Sequence, residues 1–321
     1  MHSQRAYGLL CKTKGVNKVK TSLSKQKKIQ RRKEFAAGIG FILPSFLGFF
    51  VFTFVPVIMS LGLSFTEWNF LKGIEDIQFN GVENYLKLFQ DEKFIQSFVN
   101  NILFTVVTIP ACLILGLIFA ELIHKYVFGK TILKVMFFIP YIASVVAVCV
   151  VWQVLLQPSY GPINQLLLSL GIQNPPKWLV DFKWALPSVM FIYIWQQVGY
   201  YIIVFLAGIN NVSRDIYEAA AIDGASAFRQ FISVTVPLVS PTTFFLSIMG
   251  IIGSFKVFDH ISVLTNGGPG NATSVMAFYV YETAFVDYKM GYANTLAWAM
   301  FIVIFIVTMI QWKYQAKFSA E

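Results

Sequence analysis

The chain has 321 residues, of which 56% are hydrophobic and only 13% are charged, with a mean hydropathy of +0.64. A soluble domain has about 25% charged residues, so this composition excludes an ordinary soluble protein and favours one embedded in a membrane. The net charge of +9 would suit nucleic acid, but no folded basic face or RNA-reading motif accompanies it, so nucleic acid is not an expected partner.

The basic excess lies in residues 1–35, which hold eleven Lys and Arg against one acid, Glu34. The rest of the chain has a net charge of −1. We therefore expect residues 1–36 to form a cytoplasmic tail near anionic headgroups of the lipid bilayer. The apolar run that follows is too long for a signal peptide and lacks a small-residue cleavage site, so we expect it to remain as an anchor.

Six apolar segments follow in chain order, and each is near the roughly 20 residues that a helix needs to cross a bilayer. Several contain proline, including Pro110 in the second and Pro140 in the third. Proline is tolerated in a membrane when neighbouring helices satisfy the freed carbonyls, which favours a packed bundle. The predicted fold class is therefore all-α integral membrane, with six transmembrane helices at about 37–64, 97–122, 132–156, 185–208, 240–263 and 291–312.

The distribution of Lys and Arg predicts the orientation. With the N-terminus inside, the inner segments carry 18 of the 25 basic residues and the outer loops carry six, which agrees with the positive-inside rule. Without the tail the difference is only seven to six, so the tail decides the orientation. Both termini, including a C-terminal tail at 315–321, are expected to be cytoplasmic. The outer loops at 65–96, 157–184 and 264–290 are rich in Gly, Asn and Pro and predict ordered turns.

One polar stretch, at about 214–232, separates the fourth and fifth segments and predicts a helix–turn–helix elbow on the inner membrane face. Ser213 is a favourable N-cap, and Asp223-Gly224 should end the first helix, because glycine accepts the backbone angles of a sharp turn. A second short helix is expected over 225–236. From these residues alone, the elbow is either an amphipathic connector or a docking site for a cytoplasmic partner.

The elbow also contains a spaced motif. Glu218-Ala219-Ala220 is followed after three residues by Gly224, and after nine more by Val234-Thr235-Val236-Pro237. This pattern resembles the EAA motif of permease subunits of binding-protein-dependent ABC importers, with two valines in place of Ile and Leu. Four further stretches resemble maltose-type sugar permeases: ENY at 83–85, NN at 100–101, GPIN at 161–164 and LTNGGP at 264–269. Such permeases occur in pairs, and LTNGGP resembles the first-type partner of the pair.

The resemblance covers about residues 37–314 and implies an ABC transporter transmembrane domain in a bacterial cell membrane. It implies that the elbow is a coupling helix seated on a cytoplasmic ATPase, and that a second permease subunit completes the pathway. Two ATPase subunits, or one homodimer, would bind ATP and Mg²⁺, and an extracytoplasmic solute-binding protein would deliver a sugar or oligosaccharide. The implied ATPase-coupling residues are Glu218, Ala219, Ala220, Asp223, Gly224 and Pro237.

The chain itself is not expected to be an enzyme or to bind a cofactor. Gly129-Lys130-Thr131 copies the end of a phosphate-binding loop, but His124 occupies the place of the first glycine and no strand precedes it. Three scattered cysteines and three histidines give no metal-ligand pattern. The ATPase must therefore be another chain.

An ion-coupled secondary transporter is the main alternative class. Such proteins tend to show inverted repeats and intramembrane charges. Lys256 and Asp259 lie three residues apart in the fifth segment and could pair on one helix face, although no convincing repeat accompanies them. Among ABC importers, a polyol or glycerol phosphate is an alternative substrate. The absence of a cluster of intramembrane Lys and Arg from the sequence favours a neutral ligand.

Polar side chains in the fourth and fifth segments are the expected substrate pathway, since polar groups in a membrane must pair or line a wet cavity. Tyr200 corresponds, by the resemblance, to a sugar-contacting tyrosine. Gly250 and Ser254 fall at two further contact positions with different residue types, and helix packing by small residues is their alternative role. The full predicted set is Tyr200, Gln197, Gln196, Gly250, Ser254 and Ser247.

Overall fold

The computed structural model of the chain describes residues 30–318, except residues 32, 36, 127 and 128. Most of the predicted tail at 1–36, and the last three residues of the predicted tail at 315–321, lie outside the described residues. The chain divides into two units, Met1–Gly62 and Leu63–Glu321. The transmembrane domain predicted over 37–314 crosses the boundary between these units.

The first unit contains nearly all of helix α1, at Lys33–Ser64. This helix is long and apolar enough to cross a membrane, and its large side chains, such as Phe41 and Phe52, are exposed. That surface is typical of a helix that faces lipid. A π-helical turn at Phe50–Phe54 precedes Pro56, which has no backbone N–H to donate.

The second unit is also largely helical, apart from a short hairpin at its start. Strand β1 at Thr66–Glu67 pairs antiparallel with β2 at Gln78–Phe79, with Thr66 opposite Phe79. The helices of this unit are α2 Glu83–Leu88, α3 Glu92–Tyr126, α4 Lys130–Ile142, α5 Val145–Leu155, α6 Pro162–Ser169, α7 Ala185–Asn210, α8 Arg214–Ile222, α9 Ala227–Leu238, α10 Ser240–Phe255, α11 Asp259–Leu264, α12 Met276–Tyr281 and α13 Met290–Phe318.

The six predicted apolar segments correspond to six helical segments in the described part of the chain. Four are single helices that could each cross a membrane, namely α1, α3, α7 and α13. The other two are bent pairs, because α4 meets α5 at 92° and α9 meets α10 at 65°. The first bend lies at two non-helical residues, Ala143, which is extended, and Ser144. Six spans are present if each bent pair counts as one, but the sequence pattern did not reveal either bend.

The fifth span ends earlier than the predicted 240–263. Helix α10 stops at Phe255, where the amide of Lys256 donates to the carbonyl of Gly253 in a tight turn. A new helix, α11, then begins at Asp259. Lys256 and Asp259 therefore do not share one helix face, and that prediction is wrong. The observation that favoured an ion-coupled transporter is lost with it.

The core of the second unit forms where α3 packs along α7. Ile123 of α3 and Ile209 of α7 belong to one buried cluster at the end of the unit that carries α8 and α9, here called the elbow end. Toward the opposite end, here called the loop end, Phe104 of α3 packs edge-on against Tyr193 of α7, with ring centres 5.0 Å apart. Burial of these large side chains is the main favourable contribution to the packing of the two helices.

Glycines allow the helices of this core to approach closely. A Cβ added to Gly199 of α7 would overlap the carbonyl oxygen of Phe137 in α4. A Cβ added to Gly116 of α3 would come within 2.6 Å of the Cβ of Tyr201 in α7. Small residues at such crossings let membrane helices gain close van der Waals contact. Helix α7 is thus held tightly against both α3 and α4.

Buried asparagines attach the loops to the spans at the loop end. Asn84 of the ENY motif donates to the carbonyls of Ser64 and Thr66, at 3.2 and 2.9 Å. Asn164 of the GPIN motif accepts from the indole N–H of Trp178 at 2.7 Å. Both asparagines are buried, so these bonds satisfy polar groups that would otherwise cost stability.

The NN motif connects α3 to the third loop. Asn100 donates to the carbonyls of Asn271 and Ser274, at 3.0 and 2.8 Å. Asn101 accepts from the amide of Met276, at the start of α12, at 3.2 Å. The motifs that carry the family resemblance at this end therefore fix the position of the loops relative to α3.

Asp91 joins three helices at the loop end. Its carboxylate accepts from the amides of Lys93 and Phe94 at the start of α3, and from the hydroxyls of Tyr279 and Tyr292, each at 2.6 Å. Burial alone would raise the pKa of this carboxyl, but the four hydrogen bonds outweigh burial and lower the pKa below its usual value. The carboxylate thus links α3 to α12 and α13, a role that the sequence did not reveal.

We expect Gly199→Ala to destabilise the protein, because the new Cβ has no room beside the Phe137 carbonyl and α7 would have to move away from α4. Overpacking of this kind costs about 1–3 kcal/mol. The matched control is Gly253→Ala, whose Cβ would meet only the Tyr193 hydroxyl, at 3.8 Å, and should preserve stability. Melting temperatures of the detergent-solubilised protein measure both changes, and equal values for the two variants would contradict this packing.

Candidate functional site

The first arm of the elbow is α8, and both of its ends are capped. The side chain of Ser213 accepts from the amide of Asp215 at 3.3 Å, and Asp215 places an acid in the first turn, where the helix dipole favours it. At the other end, the amide of Gly224 donates to the carbonyl of Ala221, and the next amide donates to the carbonyl of Ala220, as in a Schellman motif. Gly224 has a φ of +75°, so the predicted glycine turn is confirmed.

The second arm is α9. Its N-cap is Ser226, whose side chain accepts from the amide of Arg229 at 3.4 Å, so the helix begins slightly later than the predicted residue 225. A π-helical turn at Phe231–Thr235 precedes Pro237, which cannot donate a backbone hydrogen bond. Helix α10 begins at Ser240 after the 65° bend, so the second arm is joined to the fifth span through that bend.

The predicted coupling residues form an exposed surface on this elbow. Two large apolar side chains accompany them: Ile222 is 86% exposed and Phe228 is 75% exposed. An exposed patch that combines acids with large apolar groups suits contact with a partly basic, partly apolar protein surface. Of the coupling residues, Ala220 is half-buried and the others are exposed, namely Glu218, Ala219, Asp223, Gly224 and Pro237.

A chain of side-chain contacts connects this elbow to α3. The hydroxyl of Tyr217 in α8 lies 3.1 Å from that of Thr235 in α9. The Nζ atom of Lys125, near the end of α3, lies 5.5 Å from the centre of the Tyr217 ring and 2.7 Å from a carboxylate oxygen of Glu121. Glu121 and Tyr217 were not predicted from the sequence. An acid and a base four residues apart at the end of an apolar run is the signal that could have revealed the ion pair.

Tyr200 and Gln197 lie on one face of α7. Tyr200 stacks on Tyr141 of α4, with ring centres 5.0 Å apart and ring planes inclined by 20°. The face continues through Val204 to Ala207 at helical spacing, and every one of these α7 residues is at least partly exposed. An aromatic ring and an amide on an accessible face can contact a ligand by stacking and hydrogen bonding.

Gln196 is directed into the protein instead. It is 1% exposed, and its side-chain oxygen lies 2.8 Å from Nε2 of His260 in α11. Its amide group donates to the carbonyl of Ala143, at the bend between α4 and α5, at 3.5 Å. These contacts attach α7 to the bend between α4 and α5 and to α11, which follows the turn that ends α10. Gln196 therefore has a structural role.

The small residues of α10 lie in its contact with α3 and α7. The hydroxyl of Ser254 lies 2.8 Å from that of Thr105 in α3, and Ser254 is fully buried. A Cβ added to Gly250 would come within 3.2 Å of Ile109 in α3. Ser247 is half-buried. The geometry of Gly250 and Ser254 is therefore that of helix packing, the alternative role that their residue types suggested.

These features define a multi-pass membrane protein with an exposed elbow at one end and well-fixed loops at the other. Within the described residues, no group of three or more His, Cys, Asp and Glu side chains could hold a metal ion. Residues 87–316 match the family described as the binding-protein-dependent transport system inner membrane component. Because the match covers well over half of the chain, the protein belongs to this family of transport permeases.

Individual relatives agree with this assignment. The chain is 32% identical over 277 residues to the probable ABC transporter permease protein YurN of Bacillus subtilis (strain 168). This alignment covers 85% of this chain and 94% of YurN. The chain is 33% identical over 270 residues to the multiple sugar-binding transport system permease protein MsmF of Streptococcus mutans serotype c, with coverage of 84% and 91%.

A solved structure shows the same fold. It is the crystal structure of a bacterial alginate ABC transporter in complex with an alginate pentasaccharide-bound periplasmic protein. One of its chains aligns with a TM-score of 0.76 at 23% identity, over 89% of this chain and 94% of that chain. The helical fold of this chain is therefore shared with a chain of that transporter.

Proposed function

We propose that this chain is the membrane-spanning permease subunit of an ABC importer that moves a sugar or oligosaccharide into the cell. The exposed EAA elbow carries the proposal, on a chain whose family serves binding-protein-dependent transport. The substrate class is supported by the name of the multiple sugar-binding relative and by the maltose-type motifs. A polyol or glycerol phosphate is the competing substrate class.

In this proposal the elbow lies on the cytoplasmic side and contacts one of two ATPase subunits, which bind ATP and Mg²⁺. Glu218 would meet basic groups of the ATPase, because its carboxylate is exposed and an opposite charge across an interface selects and orients a partner. Ile222 and Phe228 would supply the apolar part of the contact. The basic tail, which the positive-inside rule assigns to the cytoplasm, supports the same orientation.

A second permease subunit and an extracytoplasmic binding protein complete the proposed importer. The accessible face of α7 with Tyr200 and Gln197 would line the pathway between the two permeases, since aromatic and amide groups suit a neutral sugar. Gln196 would hold this helix in position through its hydrogen bonds to His260 and to the carbonyl of Ala143. A direct contact of Gly250, Ser254 or Ser247 with substrate remains a prediction.

The proposed mechanism is alternating access driven by the ATPases. Closure of the ATPase pair would pull on the elbow, whose capped first arm behaves as one rigid piece. Because the elbow is joined to α10, this pull would reach the fifth span. Rigid-body movement of the spans would then expose the α7 face to the loop end, where the binding protein delivers the sugar.

We expect Glu218→Ala and Gly224→Ala to uncouple ATP hydrolysis from transport or to release the ATPase. The first removes the charged contact and should lower uptake by about tenfold or more. The second forces alanine into the left-handed region, which costs about 1–2 kcal/mol and alters the angle between the arms. Uptake and ATP hydrolysis are measured in proteoliposomes that contain both permeases and the ATPases, with the binding protein added.

The matched controls lie at the loop end. Gly73 has a φ of +82° and, like Gly224, no neighbour within 4 Å of an added Cβ, and Glu75 is an exposed acid. Gly73→Ala and Glu75→Ala should leave the uptake-to-hydrolysis ratio unchanged. Full transport with both elbow residues replaced would refute the proposed docking role.

We expect Tyr200→Ala to lower sugar uptake by about tenfold, since stacking and hydrogen bonding to the sugar would be lost, while the ATPases still copurify. The substrate panel is glucose, maltose, raffinose, glycerol and glycerol phosphate, first tested by melting of the binding protein. Phe191→Ala is the control, because Phe191 is 56% exposed on the opposite face of α7. Unaltered uptake by the Tyr200 variant would remove this residue from the pathway.

A further inference from the structure

An ion pair at the inner end of the second span has no part in the function described so far. Glu121 is 6% exposed, and its Oε1 atom lies 2.7 Å from Nζ of Lys125, whose side chain is 21% exposed. Taking two charges out of water is costly, and a well-packed apolar pair is often at least as stable. Two charges in this place are therefore poorly explained by stability alone.

The ion pair holds a cation against the elbow. Nζ of Lys125 lies 5.5 Å from the centre of the Tyr217 ring, and Tyr217 immediately precedes Glu218 of the EAA motif. The Tyr217 hydroxyl in turn lies 3.1 Å from that of Thr235, which is fully buried in the second arm. A displacement of the first arm would therefore act on Lys125 and on the second arm through one aromatic ring.

Next to this contact, α3 and the second arm are separated by a groove of about 460 Å³. Leu122 of α3 and Phe228 and Phe231 of α9 line it together with the ion pair. The second arm is thus not packed tightly onto α3 along the groove. The contact between Lys125 and Tyr217 bridges α3 and the elbow beside it.

Helix α3 extends from this contact to the opposite end of the unit. It is a continuous helix of 35 residues, and at the loop end Asn100 and Asn101 bind the third loop and the start of α12. Helix α3 also packs along α7, which carries Tyr200. A movement imposed at Lys125 can therefore reach both the pathway face and the loops through one continuous helix.

We propose that Lys125, held by Glu121, couples the elbow to the second span by its cation–π contact with Tyr217, so that these three are positioning residues for ATP-driven transport. The inference rests on the proposed importer function. It adds a second route, besides α10, by which movement of the elbow is transmitted to the spans. Lys125 acts as the cation on the ring, and Glu121 sets its position. The coupling requires a cation at this place, and an ion pair alone does not suffice.

The test uses the complete importer in proteoliposomes, with uptake of the panel sugar that stabilises the binding protein. The measured quantity is the number of sugars moved per ATP hydrolysed. Lys125→Met should lower this ratio by about fivefold or more, while the ATPases still copurify and hydrolysis loses its dependence on the loaded binding protein. Lys125→Arg should stay within about twofold of the wild type, because a guanidinium also binds an aromatic face.

Exchanging the charges of Glu121 and Lys125 distinguishes a role of the ion pair in coupling from a role in stability. The double variant Glu121→Lys with Lys125→Glu keeps an ion pair but places a carboxylate against the Tyr217 ring, so it should remain as impaired as Lys125→Met. Tyr217→Leu should reproduce the defect and serves as the test if Lys125→Met does not assemble. Lys72→Met is the matched control, since it breaks the same i to i+4 type of pair, with Asp76, at the loop end.

A wild-type ratio in Lys125→Met and Tyr217→Leu, or full recovery in the charge-exchanged variant, would overturn the inference and leave the importer function intact. Failure of the wild-type complex to couple uptake to ATP hydrolysis would instead contradict the proposed function itself. The two failures are therefore distinguishable in one set of measurements.

Discussion

The close packing of α3 against α7 is the constraint on which the rest of the second unit depends. Glycine at 116 and 199 lets α7 approach both α3 and α4, and the buried cluster around Ile123 and Ile209 fixes the elbow end of this pair. Because α3 also carries Asn100, Asn101 and Lys125, its position sets the loops at one end and the elbow contact at the other. The same packed pair thus links the loops, the α7 face and the elbow.

Several buried polar groups of the second unit attach the loops or contact the elbow. In a membrane, an unpaired polar group is costly, so each buried amide or charge needs a partner. Asn84, Asn164 and Asp91 find their partners at the loop end and hold the loops. The Glu121–Lys125 pair is the corresponding buried polar feature at the elbow end, and it contacts the part of the chain that an ATPase would move.

Much of the fold could be predicted from the sequence, because long apolar runs, the N-cap at Ser213 and the glycine at 224 are local signals with local physical causes. The bends at 143–144 and between α9 and α10, and the turn that ends α10, could not be predicted, since they depend on how neighbouring helices pack. The elbow of the candidate site was predicted from its spacing. Glu121 and Tyr217 were missed, because their meeting requires the tertiary structure. The same holds for Gly250 and Ser254, whose spacing did not show that they face α3.

The central claim is that the exposed elbow contacts an ATPase, and site-specific photocrosslinking in intact cells tests it most directly. A photoreactive amino acid at Ile222, which is 86% exposed in the elbow, is compared with one at Ile74, which is 78% exposed at the loop end. The account predicts a crosslink to the ATPase from position 222 and none from position 74. A crosslink to the ATPase from position 74, or none to the ATPase from position 222 in a complex that copurifies, would contradict it.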